Sequence, residues 1–145
     1  MQLQIQRLSP NAKLPTRATE GSAGYDLYAA LDEPISIPAG AIQRIPTGLA
    51  VAPDRTDIAL LLMARSGLAT KYGITMANGV GLVDSDYRGE LLVPLINLGS
   101  QPFTVLPEMR IAQLVLMSVI HPVLTEVKQL PETVRGTSGF GSTGQ

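Results

Sequence analysis

Three short stretches of this chain concentrate side chains that can do chemistry. Asp84-Ser85-Asp86-Tyr87-Arg88-Gly89-Glu90 brings together three carboxylates, a guanidinium and a phenol. A carboxylate can activate water as a general base, and Asp84, directly after the apolar pair Leu82-Val83, is the one expected to be partly buried beside a cleft. The same stretch also reads as a solvated turn, since Asp and Gly are common turn residues. Ala64-Arg65-Ser66-Gly67 places a cation, a hydroxyl and a glycine where an apolar run ends and a short helix can start, an arrangement that favours an anion. Ser66 acting only as a helix cap is the plainer alternative. The C-terminal RGTSGFGSTGQ offers glycines that let backbone N–H groups approach phosphate oxygens, hydroxyls at Ser138, Ser142 and Thr143, and a cation at Arg135. A glycine-serine end is also what an ordinary flexible tail looks like, but Phe140 has nothing local to pack on and can close over a flat ligand. Asp26, between Tyr25 and Leu27, is a further candidate acid, and Arg110 and Gln113 flank the entry to a late apolar run. His121, before Pro122, reads as a half-buried structural residue.

The elements that must position these residues are short strands. Turn formers recur about every ten residues, from Pro10 and Pro15 to Pro122 and Pro131, and apolar segments lie between them. Gln2 to Arg7 and Thr47 to Ala52 alternate, whereas Asp57 to Ala64, Leu91 to Leu98 and Ile111 to Ile120 read as buried strands. Pro94 suggests a bulge or an edge, because it cannot donate to a ladder. Asn78-Gly79, between Ile74-Thr75-Met76 and Val80-Gly81-Leu82-Val83, predicts a tight hairpin. Only Ser66 to Tyr72 reads as a short helix, so the expected fold is all-β, a jelly-roll-like sandwich of short strands. The composition changes after Pro131, which divides the chain into a jelly-roll-like domain at 1–131 and a flexible Gly-rich arm at 132–145.

Composition removes several function classes. With 145 residues the chain forms one domain with a real core. Zero cysteines exclude thiol nucleophiles and thiolate metal sites, and a single histidine makes a Ser-His-Asp relay improbable. A net charge of −1 argues against a grip on nucleic acid through bulk positive field, so any polyanion must be held by local cations. The apolar runs fall short of the roughly 20 residues that span a bilayer, and MQLQIQRLSP is not a signal peptide, so a soluble, cytoplasmic protein with no membrane partner is expected.

Five blocks in order resemble the trimeric deoxyuridine triphosphate nucleotidohydrolase (dUTPase) family: AGYDLYAA from Ala23, ARSGLA from Ala64, NGVGLVDSDYRGE from Asn78, RIAQL from Arg110 and RGTSGFGSTG from Arg135. The resemblance implies magnesium-dependent hydrolysis of dUTP to dUMP and pyrophosphate, limiting dUTP and supplying dUMP for thymidylate synthesis. It also implies a homotrimer with active sites at subunit boundaries. On this likeness Asp84 resembles the acid that orients and deprotonates the water attacking the α-phosphorus. Asn78 and the backbone from Gly79 through Leu82 and Val83 resemble a uracil-reading hairpin, with Leu92 beneath the nucleoside and the Tyr87 ring against the deoxyribose. Arg65, Ser66, Gly67 and Gln113 match phosphate contacts, and Asp26 matches an acid that supports hydrated magnesium through water. Arg135, Phe140, Gly141, Ser142 and Thr143 match an arm over uracil and γ-phosphate, in the family usually supplied by a neighbouring subunit.

The chain departs from the family pattern in three places. Ala64 stands where the family commonly has Pro, Glu108-Met109 where it usually has Gly and an acid ahead of Arg110, and Ser138 where it usually has Gly. A deoxycytidine triphosphate deaminase on the same fold and a non-catalytic trimeric nucleotide-binding regulator are the alternatives. The hairpin and the arm with Phe140 count against the first, and an intact Asp84 against the second.

Overall fold

The computed structural model describes residues 1–139. Among these residues eleven strands and one helix follow each other: β1 Leu3–Arg7, β2 Tyr25–Tyr28, β3 Ile35–Ile37, β4 Ile42–Pro46, β5 Leu49–Pro53, β6 Ile58–Ala64, α1 Ser66–Tyr72, β7 Ile74–Met76, β8 Gly81–Val83, β9 Leu92–Asn97, β10 Phe103–Val105 and β11 Arg110–Ser118. All pairings are antiparallel, in four sheets ordered β1-β5, β10-β3, β2-β11-β6-β8 and β4-β9-β7. The β fold expected from the recurring turn formers is the one found, including the single short helix. Among the described residues no helix is long and apolar enough to cross a membrane.

The core is aliphatic. Leu27, Ile37, Ile45, Leu49, Leu60, Ile74, Leu91, Leu95, Ile111 and Leu114 are fully buried, and each such side chain gains about 1.5–3 kcal/mol on leaving water. Strand β9 displays the physical rule most plainly: Val93, Leu95 and Asn97 are buried, while Leu92, Pro94 and Ile96 are half-buried. The buried Asn97 is fully used. Its amide donates to the carbonyls of Ile37 (2.9 Å) and Gln101 (2.8 Å), and its Oδ1 accepts from the Gly99 N–H (2.9 Å), so no polar atom is stranded.

Helix α1 ends at Gly73, which takes φ +69° and donates to Ala69. Gly73 and Gly99 sit back to back. A Cβ on Gly73 would lie 2.6 Å from the Gly99 nitrogen, and one on Gly99 would lie 2.5 Å from the Tyr72 carbonyl oxygen.

Several local expectations are corrected by the pairing. The segments flanking Asn78-Gly79 do not form a hairpin with each other: β7 pairs with β9 and β8 with β6, so the turn is a corner between two sheets. Gly79 alone takes positive φ, at +72°, with its N–H on the Met76 carbonyl (3.1 Å) and the Val80 N–H on the Asn78 carbonyl (2.8 Å). Pro94 is neither at a bulge nor on an edge. It lies in β9, the middle strand of three, in unbroken register opposite Arg44. Strand β7 has already ended where Pro94 would owe it a donor, and the Pro94 carbonyl accepts from the Ala77 N–H at 2.8 Å. Ser66 is not the helix cap; that position falls to Arg65, with no side-chain capping bond. His121 is exposed rather than half-buried, because β11 stops at Ser118 and residues 120–139 all lie exposed with no strand.

Candidate active site

Two parts of the four-stranded sheet, one toward each edge, gather the polar residues. On one edge, β8 ends and the chain enters the loop from Asp84 to Glu90. Side chains on a strand alternate, so Leu82, 67% exposed, shares its outward face with Asp84. Asp84 is therefore exposed, not partly buried as the apolar pair before it suggests. None of the ion pairs among the described residues engages it. It lines a shallow cleft of about 200 Å³ together with Leu62, Leu82, Val83, Tyr87, Glu90, Leu91 and Leu92. It also lines a wider depression of about 590 Å³ that reaches Asp86, Val119 and His121.

The loop is held mainly by its own side chains donating to its backbone carbonyls. The Tyr87 N–H donates to the Asp84 carbonyl (3.2 Å), the Tyr87 hydroxyl to the Glu90 carbonyl (3.2 Å) and the Arg88 guanidinium to the carbonyls of Ser85 (2.8 Å) and Tyr87 (2.9 Å). The Ser85 hydroxyl reaches the Thr56 carbonyl at 3.2 Å. The Tyr87 ring lies directly over Gly89, where an added Cβ would come within 2.3 Å of the phenolic oxygen, so a side chain there is incompatible with this ring position. Among the three acids of the loop, Glu90 is the half-buried one, and its Oε1 accepts from the Gly48 N–H at 2.7 Å. That contact joins residues 42 apart in sequence, and no local pattern announces it.

The second cluster forms where β2, β11 and the end of β6 meet. Asp26 lies opposite Gln113, and Gln113 lies opposite Met63 on the other side, so β11 sets the row. The Asp26 side chain is only 7% exposed and is held between two guanidiniums: Arg65 Nε donates to Oδ1 (3.0 Å) and Arg110 donates to Oδ2 (3.1 Å). Arg65 also donates to the Arg110 carbonyl at 3.4 Å. One carboxylate between two guanidiniums leaves a net positive cluster with N–H groups to spare, which is what a phosphate chain needs. Ser66 and Gly67 follow Arg65 at the exposed start of α1, and Gln113 is half-buried between Asp26 and Met63 in the sheet. The turn ahead of Arg110 puts Glu108 at positive φ, +58°, a conformation that a non-glycine residue rarely adopts.

The donor set does not form a protein-borne metal site. Among the described residues no three His, Asp or Glu side chains converge on a point, and each Asp26 oxygen already accepts from an arginine.

The structure thus brings Arg65, Arg110, Asp26 and Gln113 together, and separately Leu82, Val83, Asp84, Tyr87 and Leu92. Asn78 is exposed at the corner leading into β8. Arg135 and Ser138 lie in an exposed turn that does not line the Asp84 cleft, and Phe140, Gly141, Ser142 and Thr143 lie outside the described residues.

Known proteins align with this chain over nearly its full length. A family model described as dUTPase matches residues 10–144. A deoxyuridine 5'-triphosphate nucleotidohydrolase of Desulfitobacterium hafniense (strain DSM 10664 / DCB-2) is 53% identical over 132 residues, 91% of this chain and 87% of the relative. Another from Rickettsia massiliae (strain Mtu5) is 50% identical over 145 residues, 99% of this chain and 97% of the relative. Among solved structures, Staphylococcus bacteriophage 80alpha dUTPase with dUPNHPP superposes with a TM-score of 0.89 at 27% identity, covering 99% of each chain.

Proposed function

The chain belongs to the dUTPase family and is a dUTP diphosphatase, and from that membership we propose how its residues convert dUTP to dUMP and pyrophosphate. The observation that carries the reading is Asp84: an exposed carboxylate outside every ion pair of the described residues, on the wall of a cleft shared with Tyr87, Leu82, Val83 and Leu92. In this reading Asp84 orients and deprotonates the water that attacks the α-phosphorus. The corner from Asn78 to Val83 reads the uracil edge through backbone donors and acceptors, Leu92 lies beneath the nucleoside, and the Tyr87 ring covers the sugar where a ribose 2′-hydroxyl would stand.

General-base assistance supplies about 10²–10⁴-fold, far less than hydrolysis of a phosphoanhydride requires, so charge stabilisation has the larger share. Arg65 and Arg110, preset by Asp26, together with Ser66, Gly67 and Gln113, meet the phosphates in this reading. Arg135, Phe140, Gly141, Ser142 and Thr143 close over uracil and the γ-phosphate as an arm, and a homotrimer lets that arm serve a neighbour's cleft. The apolar side chains exposed beyond β11, among them Ile120 (91%), Val123 (92%) and Leu124 (91%), support an assembly that covers them. Magnesium suits the charge of the triphosphate itself. The residues described here offer it no ligand cluster, and a supporting role for Asp26 needs water to reach that carboxylate alongside both arginines.

A pyrophosphate-release assay with dUTP, UTP, dTTP and dCTP, with and without magnesium, tests the reading. Release from dUTP alone, dependent on magnesium, is the expected result. Equal turnover of all four nucleotides, or ammonia from dCTP, overturns it.

A further inference from the structure

Resting on that reading, we infer that Glu90 is a positioning residue for sugar selection: its carboxylate ties the Tyr87 loop to Gly48, and the tie acts through hydrogen-bond acceptance rather than through charge.

Gly48 is fixed on every side. It takes φ +65°, and a Cβ there would fall 2.8 Å from that of Ala12, 3.1 Å from that of Ser9 and 3.2 Å from that of Ala30, so the backbone is wedged against three neighbours. Its carbonyl accepts from the Leu8 N–H at 2.7 Å, and its own N–H is the donor to Glu90 Oε1 at 2.7 Å. Next to it Thr47 is wholly buried, with its hydroxyl on the Leu91 carbonyl at 2.7 Å, and the Leu91 N–H donates to Leu49 at 2.8 Å. Residue 91 is therefore locked whatever occupies position 90.

The seven residues before it are held mainly by contacts among themselves and by the Ser85 bond to Thr56. The Glu90 side chain is what extends the lock at 91 back into the loop. Tyr87 depends on that extension through its ring on Gly89, whereas the Glu90 carbonyl that its hydroxyl meets belongs to the peptide already held by the Leu91 N–H. A ring that excludes a 2′-hydroxyl by contact must be held to a fraction of an ångström, and a bond that fixes residues 89 and 90 fixes the ring.

The variants Glu90→Gln, Glu90→Asp and Glu90→Ala separate the possibilities. Gln keeps an acceptor oxygen at the same reach and loses the charge, Asp keeps the charge and withdraws it by one methylene, and Ala removes both. The readout is the ratio of kcat/KM for dUTP to that for UTP, with thermal melting as a check that each variant folds. The expected order is wild type and Gln close together, within about twofold, with Asp and Ala lowering the ratio by about tenfold, chiefly through improved use of UTP. Loss of selectivity in Gln with retention in Asp would overturn the inference and make Glu90 a charge-bearing participant. Equal loss toward both nucleotides in Ala and Asp would also overturn it and leave only a structural role. If the wild type does not hydrolyse dUTP, the functional reading itself fails, a result distinct from either.

Discussion

Asp26 and Asp84 sit at opposite edges of one four-stranded sheet, on β2 and just past β8, and the protein uses them in opposite ways. Asp26 is buried and spends both oxygens on guanidiniums; Asp84 is exposed and outside the ion pairs. At the Asp26 edge the geometry is carried by charge, with two arginines that would repel each other without the acid between them. At the Asp84 edge it is carried by side-chain hydrogen bonds onto backbone carbonyls and by the Tyr87–Gly89 contact, which leaves the acid's charge unspent. An acid that holds a structure together is poorly placed to receive a proton, and one that receives a proton is best left unpaired.

The largest test of that contrast is Asp84→Asn. Turnover of dUTP should fall by at least about 10²-fold, and up to about 10⁴-fold, while the melting temperature stays within about 1 °C. Asp26→Ala should do the reverse in kind, lowering the melting temperature by roughly 5 °C, from about 1–3 kcal/mol lost. That figure is discounted from a fully buried pair because Arg65 is 25% and Arg110 50% exposed. Its kinetic signature should be a higher KM, since Arg65 loses its fixed direction. A large drop in stability for Asp84→Asn, or none for Asp26→Ala, would break the comparison.

Arg110→Ala sharpens it. Arg65 keeps the acid paired, so stability should fall by less than about 1 kcal/mol in thermal melts, with a modest rise in KM. The smallest effect belongs to the exposed Arg55–Asp57 pair. The Arg55 hydrogen bond holds the Asp57 carboxyl below its usual range, with the charges of Arg55 and His121 adding to it. Any stabilisation from a carboxyl lowered in the folded state is complete above its unfolded value, near ~3.9, and is lost as pH falls through the folded one. The melts of wild type and Asp57→Asn should therefore coincide when compared between about pH 3 and pH 8, within error, because the pair is open to solvent.

Much of this was legible in the sequence, and the misses have physical reasons. Periodic apolar runs and turn residues located β1, β5, β6, α1, β7, β8, β9 and β11 to within a few residues. The strands Tyr25–Tyr28, Ile35–Ile37, Ile42–Pro46 and Phe103–Val105 were not legible, being short or lacking a clean alternation. Partner choice was hidden too. Asn78-Gly79 marks a turn, but whether its flanks pair with each other is decided by β6 and β9, which lie outside any local window. The expectation for Asp84 failed on a matter of phase: Leu82 faces outward, so the residue two further on does as well. The Asp26 clamp and the Glu90 tie join residues 39, 84 and 42 apart, distances over which a single sequence carries no signal.

The opposed glycines at 73 and 99 carry a consequence for how chains of this type can diverge. Neither position can accept a methyl while the facing segment keeps its path, and no second substitution makes space, because the nearest obstruction on each side is main chain. Drift is blocked there one step at a time. The rear of α1 stays welded to the β9–β10 connection, and the front, where Ser66 and Gly67 open toward solvent, inherits an orientation that ordinary mutation cannot tilt.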